Sequence, residues 1–294
     1  MNDLLDAFFR FIDVSEKTEA IYRRALRRLF GYFTSNAIIR PSRDDILNFR
    51  RHLERLSRKP STIALYLSVC RRFFTWTAHT GLYPNIAFGI KTPKQEPGHK
   101  RDYLCAGQLR KILHSIDRST PIGRRNFAVI ALMAAGGLRT IEVSRANIED
   151  FRKVGRHTCL FIQGKGRNSK SEFVKVPAPV STAICEYLRE RGQVNNTAPL
   201  FASMSYRNMN GRLSARSISF ICKSAMQENG FTSNRLTAHS LRHSAITIAL
   251  SAGISLSEVQ AFARHKSITS TMIYAHHVDR LNSTCEDTVC SAIF

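Results

Sequence analysis

The chain has 294 residues, of which 43% are hydrophobic, enough for two domains that each have a core. It carries 44 Lys and Arg against 22 Asp and Glu, a formal net charge of +22. This imbalance favours a polyanionic partner, with nucleic acid as the first candidate, and no run approaches the roughly 18 apolar residues of a membrane span. We therefore expect a compact cytoplasmic protein, whose seven cysteines, without a C-x-x-C pair, are reduced thiols.

The first 90 residues predict a bundle of helices. Apolar residues recur at helical spacing near the N-terminus, over 17–33, from Ser42 onwards and over about 62–79, and Asp45 is a plausible cap partner for Ser42. Three of these helices carry arginines on the face opposite the apolar one, with few carboxylates to compensate them. Such a surface could grip duplex DNA through its phosphates, although any single face of this kind could be merely solvated. The candidates are Arg23, Arg24, Arg27, Arg28, Arg50, Arg51, Arg71 and Arg72.

Residues 91–101 contain two prolines, a glycine and several cations without an apolar period, which favours an exposed basic linker, with an ordinary surface loop as the alternative. A mostly helical region follows. Its segment 126–135 is apolar nearly all round, as expected of a central buried helix. Two strand-like runs, 160–163 and 173–176, are joined by a turn rich in Gly, Ser and Asn. Further helices are predicted at 107–116, 180–191, 217–229, from Thr237 onwards, 256–263 and 268–275.

The stretch from 237 to 277 contains residues suited to attack on a phosphodiester. His239 and Arg242 are three apart, so on a helix they share a face and can converge on one phosphate. His265 and then Tyr274 follow. A tyrosine hydroxyl attacks a phosphodiester only if cationic groups hold the anionic oxygens and an imidazole takes or orients its proton. The set therefore lacks only a second arginine and an acid for the leaving group.

Both missing groups are found upstream. Arg139 follows a Gly136-Gly137 pair and opens the next helix, although it could also serve simply as an ion-pair partner of Glu142. Lys165 lies in the predicted hairpin turn, where its ammonium group can protonate a leaving 5′ oxygen. The neighbouring cations Arg167 and Lys170 are rivals for that role.

The ordered set of six residues resembles the catalytic residues of tyrosine recombinases of the phage-integrase and Xer type, and the resemblance extends over almost the whole chain. It implies a mainly α fold with a small β-sheet: a SAM-like helical-bundle core-binding domain (1–90), the linker (91–101) and an α-rich catalytic domain (102–280). Residues 281–294 would be a tail that docks on a neighbouring protomer or a disordered end. The motifs are Arg139 in GLRTIEV, Lys165 in GKGRNSK, His239 and Arg242 in TAHSLRHS, His265 in ARHKSITST and Tyr274 in MIYAHH.

By this resemblance the chain would be a site-specific recombinase that integrates, excises, inverts or resolves DNA through a 3′-phosphotyrosyl intermediate, without a cofactor. Its partners would be double-stranded recombination sites and accessory directionality proteins. A monomer in solution would become a homo-tetramer in the synaptic complex, associated with the nucleoid when acting. A type IB topoisomerase-like relaxing enzyme and a non-catalytic DNA-binding protein are the alternatives.

Two local features qualify the resemblance. The family usually has Leu-Gly before the second histidine, whereas this chain has Ala263-Arg264, and a left-handed helix end costs arginine roughly 1 kcal/mol more than glycine. His239 and His243 have the i, i+4 spacing of a zinc pair. The glutamate of H-E-x-x-H and a compact third ligand are missing, so we expect no metal site.

Overall fold

The computed structural model describes residues 2–93, 102–164, 169–281 and 285–294, and only the backbone at residues 2, 276–281, 285 and 286. The chain separates into two compact units, Met1–Pro97 and Gly98–Phe294. Each unit has a hydrophobic core of its own. Of the helices in the described ranges, none combines the length and the apolar character that crossing a bilayer requires.

The first unit is a helical bundle, as the apolar periodicity predicts. Its helices are α1 (Asn2–Ile12), α2 (Glu16–Ser35), α3 (Arg43–Arg55) and α4 (Pro60–His79). The expected cap of α3 is present, since the carboxylate of Asp45 accepts from both the backbone N–H and the hydroxyl of Ser42, at 2.7 and 2.8 Å. Aromatic rings fill the core: Phe8 lies 5.3 Å from Phe73 and 5.4 Å from Trp76, centroid to centroid.

Helix α2 divides the unit into an apolar and a cationic side. Its buried residues are Ala25, Leu26, Leu29 and Phe33, while Arg24, Arg27 and Arg28 are exposed. Burial of the apolar stripe therefore forces the arginines outwards, because both sets are fixed by the same helical period.

The second unit is mostly helical. Its helices are α5 (Ala106–Ser115), α6 (Pro121–Gly136), α7 (Thr140–Arg145), α8 (Ala178–Arg191), α9 (Ala215–Glu228), α10 (Ala238–Ser251), α11 (Leu256–Ala263), α12 (Thr269–Leu281) and α13 (Cys285–Ile293). Helix α6 is the expected central helix, buried on most sides and packed against α8 and α10. It ends at Gly137, whose left-handed conformation (φ 56°) turns the chain towards α7.

A small antiparallel sheet accompanies these helices. Its strands, in spatial order, are β1 (Phe151–Val154), β2 (His157–Ile162) and β3 (Glu172–Lys175). Leu160 pairs with Phe151 on one side and with Val174 on the other. The predicted two-stranded hairpin is thus the β2–β3 pair of a three-stranded sheet.

Some helices extend beyond the bounds predicted from the sequence. Helix α6 begins five residues earlier than predicted, at Pro121, because proline suits the first turn and the Thr120 side chain accepts from the Gly123 amide. Helix α12 continues beyond 275 to Leu281, and residues 285–293 of the tail are helical rather than without regular structure.

Candidate active site

Arg242 is the most deeply buried cation of the site, with 1% of its surface exposed. It lies on α10, and its guanidinium donates to the backbone carbonyl of Gly137 at 2.6 Å and to that of Ala263. These carbonyls end helices α6 and α11, so the negative ends of two helix dipoles hold one cation. Burial, together with the nearby Arg139 and Arg264, lowers the pKa of Arg242 to about 9, and the side chain stays charged at neutral pH.

Arg139 is attached to a buried carboxylate. It is the residue before the first turn of α7, and its guanidinium donates to Glu142 Oε1 at 2.8 Å, while its backbone N–H donates to Oε2 at 2.9 Å. Glu142 is 1% exposed. Burial alone would raise the pKa of Glu142, but Arg264 and Arg139 outweigh it and hold that pKa below its ordinary value.

A third guanidinium, that of Arg264, meets the same carboxylate. Its Nη2 lies 3.1 Å from Glu142 Oε2 and donates to the Gly137 carbonyl at 3.0 Å. The left-handed backbone expected at this position is present, with φ 53° and ψ 45°. Arg242 and Arg264 therefore share one main-chain acceptor, and Arg139 and Arg264 share one anion.

Tyr274 is buried, with 6% exposed, and its hydroxyl is hydrogen-bonded to Nδ1 of His243. It projects from α12, which packs against α10 and α11. The ring of His243 lies 5.2 Å from that of Tyr274 and 4.7 Å from that of His239, which meets it edge-on. His239 therefore adjoins the tyrosine through His243, the histidine that sequence reasoning considered only as half of a zinc pair.

His265 also lies beside the tyrosine, with the two rings nearly parallel and their centroids 6.2 Å apart. Its Nδ1 is 2.9 Å from the hydroxyl of Thr271, which is fully buried. Burial and the charges of Arg242, Arg139 and Arg264 lower the pKa of His265 from 6.5 to about 4. The imidazole is therefore neutral at physiological pH.

Three of these residues, Arg139, Arg264 and His265, line a cavity of about 830 Å³. Lys165 and Arg167 lie outside the described residues. Lys170, the other alternative for the proton donor to the leaving 5′ oxygen, forms an ion pair with the buried carboxylate of Asp150. In the described ranges, no group of three or more His, Cys, Asp or Glu side chains is arranged to hold a metal ion.

The arginines of the first unit fall into two groups. Arg23 is engaged by Asp6 at 2.6 Å and by Glu19 at 2.7 Å. Arg24, Arg27 and Arg28 instead line a cavity of about 530 Å³, and in the described residues none of the three forms an ion pair. The remaining candidates make local contacts: Arg50 with Glu54 at 3.6 Å, Arg51 with Asn48 at 3.1 Å, Arg71 with the carbonyl of Ile90 and Arg72 with that of Ile12, both at 3.4 Å.

The structure thus brings together five of the six predicted catalytic residues, and the sixth, Lys165, lies outside the described residues. It adds His243, for which one signal was available: a position one turn after His239 and next to Arg242. It also adds Arg264, for which the sequence offered only the departure from glycine.

Two family profiles cover this chain. That of the phage integrase family matches residues 102–280. The chain belongs to the phage integrase family. The profile described as "Phage integrase, N-terminal SAM-like domain" matches residues 5–81. The family assignment and the fold expected from the six motifs are thereby confirmed.

Curated relatives that match over nearly their whole length are named tyrosine recombinases. The tyrosine recombinase XerD of Listeria innocua serovar 6a is 30% identical over 287 residues, which cover 94% of each chain. The tyrosine recombinase XerC of Roseiflexus sp. strain RS-1 is also 30% identical, over 94% of this chain and 90% of the relative. This phage integrase family member is therefore a tyrosine recombinase, as predicted.

Solved structures agree in fold. The XerH site-specific recombinase, crystallised with palindromic difH substrate in a post-cleavage complex, matches with a TM-score of 0.74 and 20% identity, over 90% of this chain and 77% of that one. The Tn1549 transposon integrase with a circular intermediate DNA matches with a TM-score of 0.73 and 16% identity, over 92% and 93%. The mainly helical two-domain architecture is thus that of recombinases solved on DNA.

Proposed function

We propose that the chain performs site-specific DNA recombination by using Tyr274 as the nucleophile on a scissile phosphate. The observation that carries this is the convergence of Arg139, Arg242, His265 and Tyr274, which come from four separate segments of the chain. Tyr274 interacts electrostatically with Arg242, so the nucleophile and the principal cation are neighbours.

In the proposed step, the bond from Tyr274 Oη to phosphorus forms while the bond from phosphorus to the 5′ oxygen breaks. Arg139 and Arg242 hold the non-bridging oxygens. The phenolic proton leaves to a neighbouring imidazole, for which His243 makes the direct contact and neutral His265 lies alongside. His239 supports His243, and Lys165 supplies a proton to the departing 5′ oxygen, which leaves as a hydroxyl. The product is a 3′-phosphotyrosyl link that conserves the phosphodiester energy and lets another strand reverse the step.

The same proposal assigns recognition of double-stranded recombination sites to the first unit. Exposed Arg24, Arg27 and Arg28 supply sequence-independent contacts to phosphates, whereas paired Arg23 contributes less. Assembly of four protomers on two duplexes, with accessory proteins that set direction, completes the reaction.

The decisive experiment is a search on denaturing gels for protein covalently bound to nicked duplexes taken from the DNA that flanks its own gene. The native chain should yield an adduct at one sequence, and Tyr274→Phe should yield none while DNA binding is kept. Tyr206→Phe is the matched control, because Tyr206 is 97% exposed and should leave the adduct unchanged.

Other outcomes would favour other functions. Adducts scattered over many sequences, with relaxation of any supercoiled plasmid, would indicate a type IB topoisomerase-like enzyme. Tight binding without any adduct would indicate a protein that only binds DNA. An adduct that persists in Tyr274→Phe would overturn the assignment of the nucleophile.

A further inference from the structure

Arg264 occupies a backbone conformation that does not suit it. At φ 53° and ψ 45° it ends α11 in the left-handed region, where a residue with a Cβ is roughly 1 kcal/mol less favourable than glycine. Surrounding contacts must outweigh that strain. Non-glycine residues in such strained conformations cluster at active sites, and the side chain of Arg264 lies in the candidate active site.

The contacts of Arg264 lie inside the proposed site rather than on the surface. Its side chain is only 8% exposed. Besides Glu142 and the Gly137 carbonyl, it donates to the carbonyl of Phe262 at 2.8 Å. Glu142 is reached across 122 residues of sequence, so the contact is a property of the tertiary structure.

The contact between Arg264 and Glu142 changes the net charge of the site. Without Arg264, two guanidiniums would face the buried carboxylate of Glu142 and the group would carry a net charge of about +1, because Glu142 would offset the charge of Arg139. With Arg264 present, three guanidiniums face one carboxylate and the group carries a net charge of about +2. Attack of a tyrosinate on a phosphodiester monoanion gives a transition state with two negative charges, which such a group matches.

We propose that Arg264 is a positioning residue for strand cleavage: it neutralises Glu142, so that Arg139 and Arg242 present their full charge to the scissile phosphate. It also donates to the same Gly137 carbonyl as Arg242, at 3.0 Å against 2.6 Å, which fixes the two guanidiniums side by side. This inference rests on the proposed function, because it assumes that the phosphate lies between Arg139 and Arg242.

The test compares three substitutions at one position. Arg264→Gly removes the guanidinium and relieves the backbone strain, Arg264→Gln removes the charge and keeps the strain, and Arg264→Lys keeps both charge and strain. Single-turnover cleavage of a nicked duplex should slow by about 10- to 100-fold in Arg264→Gly and Arg264→Gln, which is less than the loss of about 100- to 1,000-fold expected for a donor that contacts the phosphate itself. Arg264→Lys should lose less, and the Kd for DNA should stay within about twofold of native.

A second substitution separates electrostatics from mere packing. In Arg264→Gln combined with Glu142→Gln, the anion that needed neutralising is gone and Arg139 and Arg242 again supply a net charge of about +2. The double variant should therefore cleave faster than Arg264→Gln alone. A purely structural role predicts the opposite, because a second buried contact has been removed.

Each result has a defined meaning. Native cleavage rates in Arg264→Gly, or a double variant slower than Arg264→Gln, would overturn the proposal. Thermal melting identifies any variant that fails to fold, and Arg264→Gly is the safeguard since glycine suits this backbone. The Tyr274-dependent adduct of the native chain is scored separately, so a failure of this inference is distinguishable from a failure of the proposed function.

Discussion

The two units hold their arginines in opposite ways. On α2, Arg24, Arg27 and Arg28 extend into solvent from a helix whose other face is buried. In the second unit, Arg242 and Arg264 are buried and bound to main-chain carbonyls at the ends of helices. The first arrangement leaves the cations screened by salt, whereas the second places them where screening is weak.

One residue type thus serves two tasks in this chain. Exposed cations contribute affinity that is spread over many contacts and depends on salt. Buried cations with fixed partners are already oriented when charge develops on a substrate, so they act on rate rather than on affinity. Substitutions in the two sets should therefore change different measured quantities.

The largest expected effect is that of Arg242→Gln. Loss of a preorganised cation should reduce the single-turnover cleavage rate by about 100- to 1,000-fold with the Kd for DNA little changed. Arg125→Gln is the matched control, because Arg125 is also buried and donates to a backbone carbonyl, that of Ala202, but lies near the other end of α6. Both variants should lose about 1–3 kcal/mol of stability for an unsatisfied carbonyl. Equal losses of cleavage rate in the two variants would show that Arg242 acts no differently from a buried arginine outside the site.

A smaller effect is expected for the triple variant Arg24→Gln, Arg27→Gln, Arg28→Gln. Removing three phosphate contacts should lower the slope of log affinity against log salt by up to about 2.7 and weaken binding at low salt. The chemical step measured at saturating protein should be preserved. Arg23→Gln is the control, since its ion pairs with Asp6 and Glu19 already occupy it, and it should change the slope least. An unchanged slope of log affinity against log salt in the triple variant would show that these arginines do not contact the DNA phosphates.

The smallest effect concerns pH and His265. Burial and three arginines lower the pKa of His265 in the folded chain to about 4. Between pH 6.5 and 4 the imidazole is therefore protonated in the unfolded chain and neutral in the folded chain. The free energy of unfolding should therefore fall as the pH drops through this window. In His265→Asn it should fall less steeply, which urea titrations at several pH values would detect. Parallel curves for the two proteins would contradict the depressed pKa.

The sequence predicted those parts of the fold that follow from short-range periodicity. The helices α2, α3 and α4 were evident because buried and cationic positions alternate with the period of a helix. Strand β1 was missed because its residues, FRKV, are mostly exposed and give no alternating pattern. Its place in the sheet depends on pairing with β2, which no local pattern encodes.

The candidate site divides in the same way. Family motifs led to Arg139, Arg242, His265 and Tyr274, which the fold brings together from distant segments. The contact of His243 with Tyr274 depends on how α10 and α12 pack, and the bond of Arg264 to Glu142 depends on the meeting of α7 with the end of α11. Interactions of this kind are set by tertiary packing, which spacing along the chain does not determine.

The carbonyl of Gly137, on which Arg242 and Arg264 both rest, has a consequence for mutational tolerance. It belongs to the main chain, so a substitution of any nearby side chain leaves this acceptor in place. Substitution of Gly137 itself is different, because a β-carbon there would approach the ring of Phe262 to 3.0 Å and the residue would have an unfavourable φ. A saturation library should accordingly find this glycine intolerant while sparing many side chains around it.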